Sequence, residues 1–155
     1  MILRRLQDTD AEYMLEWMHD KTVIEFMKTD FMNMSLDDCR RFIEASQNDR
    51  ENIHYAIDVN GEYLGTVSLK NIKSGEAEFA ITIRKCAMGT GVSSKAMHLI
   101  IEEGFKNLGL DCIYWYVSPL NKRAVKFYDK NGYQRTNIRG GANNYIWYQI
   151  EKMKN

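Results

Sequence analysis

Apolar positions along this chain switch between a helical and a strand period, and the switches mark out its elements. Ile2 to Gln7 reads as a short strand. Thr9-Asp10-Ala11-Glu12 follows as a capping box, with Glu12 three residues after Thr9. It opens a helix that carries Tyr13, Met14, Trp17 and Met18 on its buried side. Val23 to Met34 holds Ile24, Phe26, Met27, Phe31, Met32 and Met34 without a clean period, which predicts a short helix and loop. Ser35-Leu36-Asp37-Asp38 starts a further helix that runs to about Gln47.

Strand alternation then takes over. Ile53, Tyr55, Ile57 and Val59 share one face against His54, Ala56 and Asp58. Asn60-Gly61 signals a two-residue hairpin turn with positive φ angles. The returning strand spans about Tyr63 to Leu69, Lys73-Ser74-Gly75 turns the chain again, and Glu76 to Arg84 is the third member of an antiparallel meander. In it Ala77, Phe79, Ile81 and Ile83 face one way, and Glu76, Glu78, Ala80 and Thr82 the other.

A helix over Val92 to Leu108 ends at Gly109, and Cys112 to Ser118 is an aromatic and β-branched strand. The intervening helix predicts that this strand lies parallel to Glu76–Arg84 through a right-handed crossover. Asn121 to Asn131 reads as a helix closed by Gly132, with last strands at Tyr133 to about Ile138 and Tyr145 to Glu151. Arg139 to Asn144 is the loop between them.

Between the third meander strand and its helix lies Lys85-Cys86-Ala87-Met88-Gly89-Thr90-Gly91-Val92-Ser93-Ser94. A strand that enters a glycine-bearing loop and opens into a helix points unpaired backbone N–H groups and the positive end of a helix dipole at one spot. Gly89 and Gly91 would let a phosphate approach the backbone closely, although two glycines there also make an ordinary turn.

Composition narrows the partners. At 155 residues the chain fits a single domain, residues 1–155, that can bury a core. Lys and Arg total 21, as do Asp and Glu, so no excess charge points to nucleic acid or an anionic membrane surface. Cys39, Cys86 and Cys112, with His19, His54 and His98, show no metal-ligand spacing, so no metal is expected. Reduced thiols, no apolar signal core at the N-terminus and no apolar run of membrane-spanning length give a cytoplasmic reading.

Asn121-Lys122-Arg123-Ala124-Val125-Lys126-Phe127-Tyr128-Asp129-Lys130-Asn131-Gly132-Tyr133 resembles the Asn-x-Arg-Ala…Tyr-x-Lys-x-Gly-Phe signature of the GNAT N-acetyltransferases. In that family the signature follows a strand ending in Val, as Val117 does here, and a Gln/Arg-x-x-Gly-x-Gly/Ala loop that binds acetyl-CoA. Met88 replaces the usual Gln or Arg and Ser93 the usual Gly or Ala, while Gly91 fits. The opening, from Leu3-Arg4-Arg5-Leu6 to Leu15-Glu16-Trp17, is similar to the branch acetylating ribosomal-protein N-termini and amino sugars.

The resemblance implies an α/β (α+β) fold: a mixed, mostly antiparallel sheet of about seven strands with helices on both faces and a parallel pair at the cofactor cleft. It implies acetyl-CoA as co-substrate, bound by Ile83, Met88, Gly89, Thr90, Gly91, Val92, Ser93, Ser94, Asn121 and Ala124. Asn121 and Tyr128 lie two helical turns apart, so they share a face. The resemblance further implies that Tyr128 is the acid that protonates the departing thiolate and Glu78 the group that takes the amine proton. The same residues also fit plainer roles: Asn121 as an N-cap, Tyr128 as part of a core stripe, Glu78 as a solvated strand glutamate.

The acceptor side falls to Val23–Met34, with Phe26, Met27 and Phe31, and to the Arg139–Asn144 loop. The leading reading is acetyl transfer to a primary amine of a small molecule, an amino sugar first, by direct attack in a ternary complex. A protein N-terminal acetyltransferase and a non-catalytic acyl-CoA-binding domain stand as alternatives. A homodimer is one open form of assembly.

Overall fold

In the computed structural model, which describes residues 1–137, 139 and 144–153, seven strands join in one sheet. They are β1 (Ile2–Arg5), β2 (Ile53–Val59), β3 (Glu62–Lys73), β4 (Glu76–Ile83), β5 (Cys112–Val117), β6 (Gln134–Arg135) and β7 (Ile146–Glu151). Their order across the sheet is β1-β2-β3-β4-β5-β7-β6, and only the β4–β5 pair is parallel. The helices are α1 (Ala11–Met18), α2 (Lys21–Ile24), α3 (Leu36–Ser46), α4 (Val92–Lys106) and α5 (Lys122–Lys130). This is the mixed sheet with flanking helices that the sequence implies.

Helices on both faces give the sheet two cores. Val67, Leu69, Phe79, Ile113 and Trp115 pack with Ala96, Met97 and Ile100 of α4 and Tyr128 of α5. Met14 and Trp17 of α1 and Cys39 and Ile43 of α3 pack with Ala56 and Tyr63 on the other side. Ala56 and Ile57 are neighbours in β2 yet belong to different cores, as strand alternation requires when both faces are covered.

Several element ends differ from expectation. The capping pair at the first helix is Gln7 and Asp10, with Gln7 N donating to Asp10 Oδ2 (2.8 Å) and Asp10 N to Gln7 O (2.8 Å), and not Thr9 with Glu12. The cause is Arg4, which donates to both Asp10 and Asp58 and draws the Asp10 carboxylate inward. Tyr13, expected on the buried side of α1, is 41% exposed and stacks beneath Arg84, 4.6 Å from ring centroid to Cζ. β3 continues past Leu69 to Lys73 through a register shift, with Asn71 at φ +53°. α4 ends at Lys106, and β6 is confined to Gln134–Arg135. Most of the Arg139–Asn144 loop lies outside the described residues.

Two contacts fix the end of β4. Gly65 of β3 lies opposite Ile83, and a Cβ there would sit 2.4 Å from the Thr82 carbonyl oxygen. Arg84 then donates to Glu16 Oε1 (2.9 Å) on α1 and to Glu62 Oε1 (3.0 Å) on β3. The chain therefore leaves the sheet from a clamped position.

Candidate functional site

The parallel pairing of β4 and β5 has three rungs: Glu76 with Cys112, Ala77 with Ile113, and Glu78 with Tyr114. Beyond them β4 pairs only with β3, through Phe79 to Ile83, and β5 only with β7, through Trp115 to Val117. The sheet therefore splits, and two strand edges face each other with backbone groups that no strand satisfies. Such groups need a partner.

The glycine loop lies at the β4 side of the split. A short 3₁₀ turn, Lys85–Ala87, leads through Met88 and Gly89 to Gly91, which caps α4 in the left-handed region at φ +85° with no side-chain cap bond. The first N–H to donate within α4 is that of Lys95, to Gly91 O at 3.3 Å. The N–H groups of Val92, Ser93 and Ser94 stand ahead of it as the unpaired donors of a helix start. A Cβ at Gly89 or Gly91 would meet no heavy atom within 4 Å, so the space above the loop is open. The hydroxyl of exposed Thr90 donates to Ala87 O.

α5 is tied to this loop at both ends. Arg123 Nη1 lies 3.4 Å from Met88 Sδ, and Ser94 Oγ donates to Asn131 Oδ1 at 3.2 Å. Asn121 caps α5, its Oδ1 accepting from Ala124 N at 3.3 Å. That bond leaves its amide N–H groups available. Tyr128 is 9% exposed and packs in a cage of rings, with centroids 5.4 Å from Trp115, 5.1 Å from Tyr148 and 5.4 Å from Phe127. Burial, with Tyr148 and Tyr133 beside it, pushes its phenol well above the usual tyrosine range. Trp115 is the first β5 residue past the last shared rung, so Tyr128 sits beside the head of the split.

Tyr148 is held in turn. Its hydroxyl donates to Asp129 Oδ1 at 2.9 Å, and Arg135 pairs with the same carboxylate at 2.6 Å. Burial first, and then that bond, push the Tyr148 phenol up to about 12. The sequence reading missed this ring cage. Alternation within Cys112–Val117, which places Trp115 opposite Tyr114 and Tyr116, carries the signal that could have found it.

Glu78 lies on the opposite face of the sheet from Tyr128, on the last shared rung. Its carboxylate faces Lys70 Nζ at 3.4 Å. Of the expected acceptor-side residues, Phe31 packs edge-on against Trp17 (centroids 5.1 Å) and Met27 joins the same core, while Phe26 stays 40% exposed. The structure thus brings Gly89–Ser94, Asn121, Ala124 and Tyr128 to one side of the split, and Glu78 to the other. A separate cavity of about 470 Å³, lined by Arg4, Asp10, Tyr13, Asp58, Glu62 and Tyr63 among others, does not reach the glycine loop. Its buried charge is already matched between Arg4, Asp10 and Asp58.

The split parallel pair, the α4 start without a side-chain cap and the caged Tyr128 phenol thus lie together. The model of the acetyltransferase (GNAT) domain matches residues 1–134, and the chain belongs to that family of N-acetyltransferases. Acetyltransferase PseH of Campylobacter jejuni (strain 81-176) is 24% identical over 126 residues, 81% of this chain and 78% of that protein. In fold, the chain is similar to spermidine N-acetyltransferase from Vibrio cholerae in complex with CoA and spermine (TM-score 0.83, 21% identity, 97% of this chain and 94% of that one). It is likewise similar to Mycobacterium smegmatis RimJ in complex with CoA-disulfide (TM-score 0.82, 14% identity, 96% and 80%). Among the described residues no helix is long and apolar enough to cross a membrane, and no group of His, Cys, Asp and Glu could hold a metal ion.

Proposed function

We propose that this N-acetyltransferase transfers an acetyl group to the primary amine of a small molecule, an amino sugar first, by direct attack within a ternary complex. The observation that carries the reading is the split between β4 and β5, which has the orphan donors of α4 at one side and Tyr128 at its head. The open space over Gly89 and Gly91 and the N–H groups of Val92, Ser93 and Ser94 suit a pyrophosphate. The free amide of Asn121 and the small Ala124 suit a pantetheine chain. Acetyl-CoA, when bound, supplies the thioester carbonyl and the thiolate leaving group.

The chain's own groups divide the remaining work. A backbone N–H on the unpaired edge of β4, up to Ile83, polarises the carbonyl. Tyr128 is protonated at neutral pH, as an ordinary phenol already is, and gives that proton to the leaving sulfur, while burial, which raises its pKa, opposes the transfer. Glu78 takes the amine proton, through water, after release from Lys70. Cys39 and Cys112 are buried, and burial pushes both thiols up, which suits structural roles and not nucleophiles. The amino-sugar choice rests on the likeness of the opening, from Leu3 to Trp17, to the branch that includes amino-sugar enzymes.

The test is a screen for thiol release from acetyl-CoA with amino sugars, polyamines and N-terminal peptides. Turnover of amino sugars with intersecting initial-velocity lines is the expected result. Turnover of peptides alone would move the acceptor to protein N-termini, and parallel lines would exclude the ternary complex.

A further inference from the structure

β5 and β7 turn their outward residues away from the core that holds Trp115 and Tyr148. Tyr114, Tyr116 and Trp147 remain partly exposed there. They form a continuous aromatic surface. Tyr116 is the centre of it, with ring centroids 4.8 Å from Trp147 and 5.0 Å from Tyr145, and Tyr114 lies 6.4 Å from Trp147. Tyr116 is also past the last rung shared with β4, so this surface borders the split on the face opposite Tyr128.

Cations lie on this surface or beside it, and their pairing differs. Arg139 stacks on Tyr114 (3.9 Å from Cζ to centroid) but is neutralised by Glu76 at 2.8 Å. Lys70, alongside, is taken by Glu78. Lys28 reaches across from the irregular segment after α2 and stands 4.9 Å from the Tyr116 centroid and 4.8 Å from that of Tyr145. Among the described residues no carboxylate pairs with it. Elsewhere, Arg4 is bound to Asp10 and Asp58, and Arg5 to the Gln47 carbonyl. Among the described residues, Lys28 is the cation on this aromatic surface that has ring faces and no carboxylate for partners.

We propose that Lys28, Tyr116 and Tyr145 form an anion subsite of the acceptor pocket, which takes an oxyanion, phosphate or carboxylate, carried by the amine to be acetylated. The ammonium supplies charge and the two phenols supply O–H donors, a set that fits an oxyanion. The same charge repels acceptors that carry several ammonium groups, so the subsite selects against polyamines. The inference rests on the split being the acetyl-transfer site and deepens that reading by naming the acceptor's charge.

The experiment compares glucosamine, glucosamine 6-phosphate, 2-amino-2-deoxyglucuronate and spermidine as acceptors for wild type, Lys28→Ala and Lys28→Arg. Wild type should favour glucosamine 6-phosphate over glucosamine by tenfold or more in kcat/KM, and the uronate tells whether any oxyanion suffices. Lys28→Ala should erase the preference through a raised KM, and Lys28→Arg should keep most of it. Calorimetry with glucosamine 6-phosphate reads the subsite without turnover: binding lost in Lys28→Ala supports it, and equal binding in both overturns it. A wild-type preference for spermidine, or a preference unchanged in Lys28→Ala, also overturns it. If none of the amines released thiol, the acceptor reading would fail, while calorimetry would still decide the subsite.

Discussion

Gly61 and Gly91 hold the same left-handed backbone conformation, φ +86° and +85°, and at neither would a Cβ meet a heavy atom within 4 Å. One turns the β2–β3 hairpin and the other opens α4. An alanine therefore costs the fold about the same at each, about 1 kcal/mol of backbone strain. Any difference between the two variants in acetyl-CoA affinity reports on the ligand and not on strain. Gly91→Ala should weaken binding by about tenfold, the scale of one lost close contact of about 1.4 kcal/mol, and Gly61→Ala should leave it alone. Equal affinities by calorimetry would remove the loop from the site.

Tyr128→Phe keeps the ring inside its cage and breaks no hydrogen bond to a described residue. Stability and acetyl-CoA affinity should stay close to wild type. Loss of a general acid costs about 10²–10⁴ in rate, and here it should fall on kcat. Wild-type turnover under chemistry-limited conditions would return Tyr128 to a packing role.

Gly65→Ala should be among the more damaging changes to this fold. The added methyl carbon would fall 2.4 Å from the Thr82 carbonyl oxygen and 2.9 Å from Ile83 Cα, both backbone. Forcing the strands apart there costs about 1–3 kcal/mol. The urea midpoint should drop with an unchanged slope. A variant as stable as wild type would mean that β4 can shift without cost.

His54 gives stability a pH dependence in a defined window. Burial, reinforced by nearby Lys70, lowers its pKa below the usual 6.5, and its Nδ1 lies 2.6 Å from Ser68 Oγ. The folded state prefers the neutral ring, so the unfolded chain binds more protons below 6.5. Stability is then complete above that pH and falls as pH drops toward the folded value. His54→Gln, which cannot titrate, should flatten this slope in unfolding titrations between pH 7 and pH 5, while an unchanged slope would assign it elsewhere.

Much of this architecture is legible in the residues themselves. Asn60-Gly61 specifies its turn, and the helix between Glu76–Ile83 and Cys112–Val117 dictates their parallel pairing. The loop from Lys85 to Ser94 is legible as strand, glycines and helix start. The split does not show, because Phe79, Ile81 and Ile83 alternate as they would in a fully paired strand. The Gln7–Asp10 cap and the Lys28 contacts stay hidden too, because each depends on charges or rings brought in from distant segments.

A seven-stranded sheet that parts after three rungs is, over the remaining length, one strand short. The edges of Phe79–Ile83 and Trp115–Val117 offer a ladder of amide donors and acceptors, and a compact anion or a bare hydrocarbon would leave that ladder largely unanswered. A slender molecule carrying its own amides can act as the missing strand. Selection of such a donor would then rest on main-chain geometry, and Met88 and Ser93 would weaken or adjust its binding without abolishing it.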